Sequence, residues 1–232
     1  MPNTWSARLY IALVALAGAG TLAVGIAHPV FGDPARFVAL LAVAVITSRL
    51  KVKLPGMKAN MSVSLPFLLL ASAQLQLLPT LVIALAATVT QSVTRQLSSA
   101  KLVQMLFNVS TVLVAITCAF DVQHQARFAS HGVVLVLLGA AAYLLVNTAL
   151  VSGIVSLTSA QRLGQTWTSM FTLTYLYFVL SAGIAAVVVG FGIHWSVMML
   201  TLMVVYGAYR SFQLYFITMS ATLAPQMASA GD

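Results

Sequence analysis

Apolar residues run along this chain in long uninterrupted blocks, not in the short alternations of half-buried strands. A helix needs about 20 mainly apolar residues to cross a hydrocarbon core. Eight blocks approach that length: 9–27, 35–49, 61–78, 80–95, 102–120, 132–157, 167–191 and 195–216. Turn chemistry separates them at His28-Pro29 to Pro34, Leu54-Pro55-Gly56, Pro79 and Gly190-Phe191-Gly192. The second block has a short apolar core and the third holds Pro66. The fourth turns polar at Thr88, Thr90, Gln91 and Ser92. Among these three, a re-entrant segment or a merger with a neighbour remains open. The pattern predicts an all-α fold: a polytopic transmembrane helical bundle of about eight spans, with six as the alternative. Residues 1–216 form one integral membrane domain, and 217–232 a short cytoplasmic tail.

Composition sharpens this reading. The chain has 232 residues, 61% apolar and only 6% charged, with a mean hydropathy of +1.01. Soluble domains carry roughly 25% charged residues, so a water-soluble enzyme and a nucleic-acid-binding domain are both excluded. The net charge of +8 then reflects topology and not a polyanionic partner. With a cytoplasmic N-terminus and eight spans, Arg8, Arg49, Lys51, Lys53, Lys58, Arg95, Lys101, Arg162 and Arg210 fall inside. Only Arg36 and Arg127 fall outside, which is a strong positive-inside bias placing both termini in the cytoplasm. A six-span arrangement that drops a hairpin keeps most of it. The expected location is a bacterial inner membrane, crossed several times. The first block is too long for a signal-peptide core and is read as a retained helix. The sequon Asn60-Met61-Ser62 lies on the cytoplasmic side and is discounted.

Candidate chemistry is sparse. No Asp or Glu lies within a predicted span, whereas proton-coupled carriers place titratable groups there. His28, His124, His131 and His194 all fall at outer span ends, where interfacial capping outweighs a metal or pH site. Cys118 is alone, so no intrachain disulfide or cysteine metal cluster is expected. No metal, no cofactor and no enzymatic constellation is expected. Ala15, Ala19, Ala23 and Ala27 recur every four residues and so share a helix face on which another backbone can dock. Ordinary helix packing is the blander account of that stripe. Uncharged polar residues also form stripes, including Thr88, Gln91 and Arg95; Asn108, Thr111 and Cys118; and Thr168, Thr172 and Tyr175. Converging inside the bundle, Gln91, Asn108, Thr111, Tyr143, Asn147, Thr148, Tyr175 and Tyr177 would line a pocket for a small neutral ligand. Interhelical hydrogen bonding is the alternative. The basic loop Arg49, Lys51, Lys53 and Lys58 suits an anionic inner leaflet, at about 1 kcal/mol per charge.

Residues 49–70, Arg-Leu-Lys-Val-Lys-Leu-Pro-Gly-Met-Lys-Ala-Asn-Met-Ser-Val-Ser-Leu-Pro-Phe-Leu-Leu-Leu, are followed by Val103-Gln104-Met105-Leu106-Phe107-Asn108-Val109. Tyr143-Leu144-Leu145-Val146-Asn147-Thr148 and Tyr209-Arg210-Ser211-Phe212 complete the series. In this order they resemble the N-terminal multi-helix membrane sensor modules that precede GGDEF or HD-GYP output domains in bacterial signalling proteins. The resemblance spans nearly the whole chain and implies that the last helix leads toward a cytoplasmic output. The sequence ends at Asp232, shortly after Arg210, so cyclic-dinucleotide chemistry is not expected of this chain itself. A weaker resemblance is to the S components of energy-coupling-factor transporters, carried by the alanine stripe and by 62–91 with Pro66 and Pro79. Those are six-helix vitamin binders, and eight blocks depart from that number.

The expected function is a membrane-embedded sensory or small-ligand-binding module acting through a separate cytoplasmic or membrane partner. The alternative is a substrate-binding subunit for a vitamin-like solute. The expected partners are the lipid bilayer, a small neutral ligand, and a protein partner or second copy, with no nucleic acid.

Overall fold

The computed structural model describes residues 4–53, 60–93, 98–125, 132–159, 161–191 and 206–207. Among them are seven helices and one small hairpin: α1 (Thr4–Ala27), α2 (Pro34–Ser48), β1 (Lys51–Lys53), β2 (Asn60–Ser62), α3 (Leu65–Gln74), α4 (Leu77–Ser92), α5 (Ser99–Gln123), α6 (Gly132–Ser159) and α7 (Leu163–Phe191). Each of the first seven apolar blocks corresponds to one helix. The eighth, 195–216, lies outside the described residues apart from Tyr206 and Gly207, and so does the tail 217–232.

Local chemistry explains the starts. Asp33 caps α2 by accepting from the Ala35 and Arg36 backbone N–H groups at 3.0 and 3.3 Å, with Pro34 in the first turn. Ser98 caps α5 through the Lys101 N–H at 3.4 Å. Pro66 and Pro79, read from sequence as weak points, stand in the first turns of α3 and α4, where a missing N–H costs no helical bond. The break between those helices falls instead at Leu75-Gln76, both extended. The Thr80 hydroxyl donates to the Ala71 carbonyl at 3.1 Å. Residues nine apart on one straight helix lie about 13 Å apart along its axis, so the chain turns sharply here.

Two expectations need correcting. The third block does not start a helix at 61: Asn60, Met61 and Ser62 pair antiparallel with Lys53, Val52 and Lys51. The basic loop is therefore the stem of a β-hairpin closing α2 onto α3, an addition to the all-α reading. The helix that remains, α3, has ten residues and a length of about 15 Å, half of a bilayer core. It cannot cross. It lies inside the bundle, packed against α2, α4, α5, α6 and α7, with Leu65 to Ser72 all buried.

By length and composition α1, α5 and α6 can each cross a membrane, and α7 can if its two halves count as one span. That helix bends by 50° between Thr172 and Tyr177. Thr168, Thr172 and Thr174 donate to the carbonyls four residues back at 2.8, 2.9 and 2.8 Å, the side-chain bonding that bends helices. Outward faces carry large apolar residues: Leu9, Leu13 and Leu16 on α1, Val134, Leu137 and Leu138 on α6, and Val179, Leu180 and Val187 on α7. Such a surface calls for lipid.

Close helix contacts rest on glycine. A methyl group at Gly18 of α1 would lie 2.7 Å from Ser110 Cα of α5, and one at Gly25 2.9 Å from Leu81 Cδ1 of α4. The inward stripe of α1 is thus Ala7, Val14, Gly18 and Gly25. Ala19, Ala23 and Ala27 are exposed and Ala15 is half-buried. The expected result is that Gly18→Ala lowers thermal stability in detergent micelles by about 1–3 kcal/mol through overpacking against backbone. Gly20→Ala, with nothing within 4 Å, should match or slightly exceed the unaltered protein in the same melt.

Candidate functional site

The eight polar positions singled out from sequence do not form one group. Tyr143 on α6 is buried, with its ring 5.7 Å from Phe178 of α7. Tyr177 sits edge-on to the same Phe178 at 5.6 Å. These three rings form one packed cluster. Thr148 on α6 is buried, donates to the Leu144 carbonyl at 2.7 Å and accepts from Trp167 Nε1 at 3.2 Å. Thr111 on α5 is buried with its hydroxyl unpartnered. Asn108, Asn147 and Gln91 are half-buried on α5, α6 and α4. Tyr175 is exposed and stacks along Phe171 at 6.5 Å.

Tyr177 does a job that composition could not announce. Its hydroxyl accepts a hydrogen bond from the Leu65 backbone N–H and bonds the Ser181 side chain. Leu65 opens α3, and Ser64 before it makes no side-chain cap bond. The first amides of a helix have no intrahelical partner, and in hydrocarbon each must find one. The second half of α7 therefore closes the buried start of α3. Small residues permit the approach: Ser181, Ala182, Ala185 and Ala186 are all buried.

Among the described residues, open spaces lie beside residues other than the eight polar positions. A groove of about 630 Å³ runs along the first half of α7 past Gly164, Gln165, Thr168, Ser169 and Thr172. The Thr168 and Thr172 hydroxyls are already bonded to their own helix. The second, about 310 Å³, lies where the ends of α3, α5, α6 and α7 meet and includes Gln123. Sequence reasoning passed over Gln123 because the fifth apolar block stopped at 120, while α5 continues to Gln123. The available signal was Gly139, the facing gap on α6: a methyl group there would lie 2.6 Å from Gln123 Cγ and Nε2. Trp167 was passed over as well.

Of the histidines, His28 and His124 are exposed, and His131 and His194 lie outside the described residues. His124 ends α5, stacked on Phe120 at 3.9 Å with Nδ1 2.9 Å from the Phe120 carbonyl. Among the described residues no group of His, Cys, Asp or Glu is placed to hold a metal ion. Arg49 is exposed at the end of α2, Lys51 and Lys53 belong to β1, and Lys58 lies outside the described residues.

A helical bundle with an apolar exterior and a half-length helix inside it is the form of a membrane-embedded domain. The chain belongs to the MASE9 family, whose model matches residues 21–218, and this fits a membrane-associated sensor module. No curated protein and no solved structure matches the chain.

Tyr177→Phe keeps the ring and strands the Leu65 amide. We expect it to cost about 1–3 kcal/mol, the penalty for one buried donor left unpaired, measured by unfolding in mild detergent. Tyr175→Phe, on the exposed side, should stay within about 0.5 kcal/mol of the parent.

Proposed function

We propose that this chain is the sensory module of a bacterial inner-membrane signalling system and acts through a separate partner. The observation that carries the reading is the family match across residues 21–218. The packing of α3 supports it. A short helix touching α2, α4, α5, α6 and α7 at once transmits any displacement to all of them. A ligand that binds one packing of α4–α7 better than another shifts the population toward it. The end of α4 at Ser92 and the start of α7 at Leu163, beside the basic positions Arg95 and Arg162 in sequence, then report the shift to the partner; Arg210, the third position expected to do so, lies outside the described residues.

The positive-inside rule assigns those ends to the cytoplasm, together with both termini and the β1–β2 hairpin. In this topology α3 and α4 enter from the cytoplasm and return to it. The six-span alternative then takes α1, α5, α6 and α7, which are long enough to cross, and requires the 15-residue α2 and the apolar block 195–216, which lies outside the described residues, to complete it. The polar and aromatic positions Gln91 of α4, Asn108 and Thr111 of α5, Asn147 of α6 and Tyr175 of α7 belong to the moving helices in this scheme.

A transport subunit is the second reading, favoured by one observation. Three of the four alanines on α1, Ala19, Ala23 and Ala27, are exposed and so pack against none of the described residues. A partner helix docked there would suit either a signalling or an energising protein.

Native mass spectrometry of the protein gently extracted from its source membrane tests both readings. Co-isolation with a cyclase, kinase or phosphodiesterase supports the sensor, and co-isolation with an ATPase supports transport. A protein that emerges alone and unliganded contradicts both. Ala19→Leu should abolish a captured complex while leaving the isolated chain folded. A complex that survives it removes the alanine face from the account.

A further inference from the structure

Between α2 and α3 the chain carries a pattern that the helices do not need. The Val63 N–H donates to the Leu50 carbonyl at 3.2 Å, which extends the ladder one pair beyond Lys51–Ser62, Val52–Met61 and Lys53–Asn60. Successive strand residues belong to opposite faces, so this register sorts the ribbon by chemistry. Leu50, Val52, Met61 and Val63 share one face, and Lys51, Lys53, Asn60 and Ser62 share the other. Arg49, exposed just before the ribbon, adds a third cation. A two-stranded ribbon is marginal in water on its own, so its apolar face needs a surface to lie on. Leu50 and Val63 are half-buried at its base. Ile46, in the last turn of α2, is 61% exposed, and the lipid-facing side of that helix therefore runs up to the ribbon.

Among the described residues no acid is placed to balance these cations. The sequence holds three acids, Asp33, Asp121 and Asp232. Asp33 lies at the far end of the 15-residue α2, about 22 Å along its axis, and is 3.7 Å from Arg36. Asp121 is near the end of α5, where Gln123 and His124 stand with Ala73 of α3 around one cavity. The ribbon joins α3 at its other end, at Leu65. Asp232 lies outside the described residues. A cationic face bordering lipid and lacking an acid of its own fits the phosphates of the surrounding leaflet, which draw basic residues near the surface. An acidic soluble protein would match the charge but not the apolar face. We propose that the β1–β2 ribbon is a docking site for anionic phospholipid headgroups, lying in the interface as an amphipathic helix does. Only Val63 and Ser64 separate β2 from α3, so headgroups held there bear directly on the helix at the centre of the bundle. This site depends on membrane embedding and not on the sensory reading.

The test places the full chain in phosphatidylcholine vesicles with a trace of phosphatidylglycerol or phosphatidylcholine spin-labelled in the acyl chain. Electron paramagnetic resonance reads the share of each labelled lipid held against the protein. Phosphatidylglycerol should be held several-fold more strongly. That preference should collapse in about 1 M salt, where charges are screened beyond about 3 Å. Lys51→Gln with Lys53→Gln should remove most of it. Arg8→Gln with Lys101→Gln takes the same number of charges from exposed positions off the ribbon and should leave most of it. Equal losses in the two double variants overturn the proposal, because they mean diffuse charge and no site. Equal holding of both lipids by the unaltered protein also overturns it and leaves the cationic face to an acidic protein surface. A preference that persists in high salt overturns it as well. These last two readings use no variant, so a misfolded one does not spoil the test.

Discussion

Backbone amides have no water to turn to inside a bilayer, and the fold is arranged around that fact. Long helices meet the requirement within themselves. A ten-residue helix cannot, because its exposed ends form a large share of its length. Here α3 survives in the interior because its neighbours complete it. Tyr177 takes the Leu65 N–H, and the Ser64 carbonyl accepts from Phe67 and Leu68 at 3.1 Å each. The Thr80 hydroxyl reaches the Ala71 carbonyl near the other end. Buried hydroxyls elsewhere, such as Thr47, Ser72 and Thr88, bond back to their own helices. The bend in α7 belongs to the same arrangement, since it directs the half carrying Tyr177 and Phe178 onto α3.

This arrangement links packing to function. A helix held by contacts from five others has few independent ways to move, so a shift at one end is felt by the whole bundle. The cavity beside Gln123 lies where α3 ends, against α5, α6 and α7. The exposed alanines of α1 lie apart from this core and offer a surface that the described residues leave uncovered.

Much of the fold was legible in the sequence because apolar length is a direct physical signal. Blocks at 132–157 and 167–191 became Gly132–Ser159 and Leu163–Phe191 with small boundary shifts. Asp33 and Pro34 announced the start of α2. What was not legible depends on partners distant in sequence. Pro66 and Pro79 marked helix starts, and only the turn at Leu75-Gln76 shows why. The alanine stripe of α1 was visible, yet the packing face is the glycine stripe through Gly18 and Gly25, set by the backbone of Ser110 and by Leu81. Short strands at Lys51–Lys53 and Asn60–Ser62 carry too few residues to show a period. Among the polar positions, Tyr143 and Tyr177 meet at Phe178, whereas Tyr175 is exposed and meets Phe171. Gln123 was hidden at the end of an apolar run, and its meaning depends on a glycine 16 positions later on α6.

The most direct measurement is labelling by lipids that carry a photoactivatable diazirine in the acyl chain, followed by mass spectrometry of the peptides. The account predicts heavy labelling of Leu9, Leu13 and Leu16 on α1 and of Val134, Leu137 and Leu138 on α6, with Leu65–Gln74 unlabelled. Labelling of Leu65–Gln74 at the level of α1 would put α3 against lipid and contradict the buried half-helix on which the rest depends.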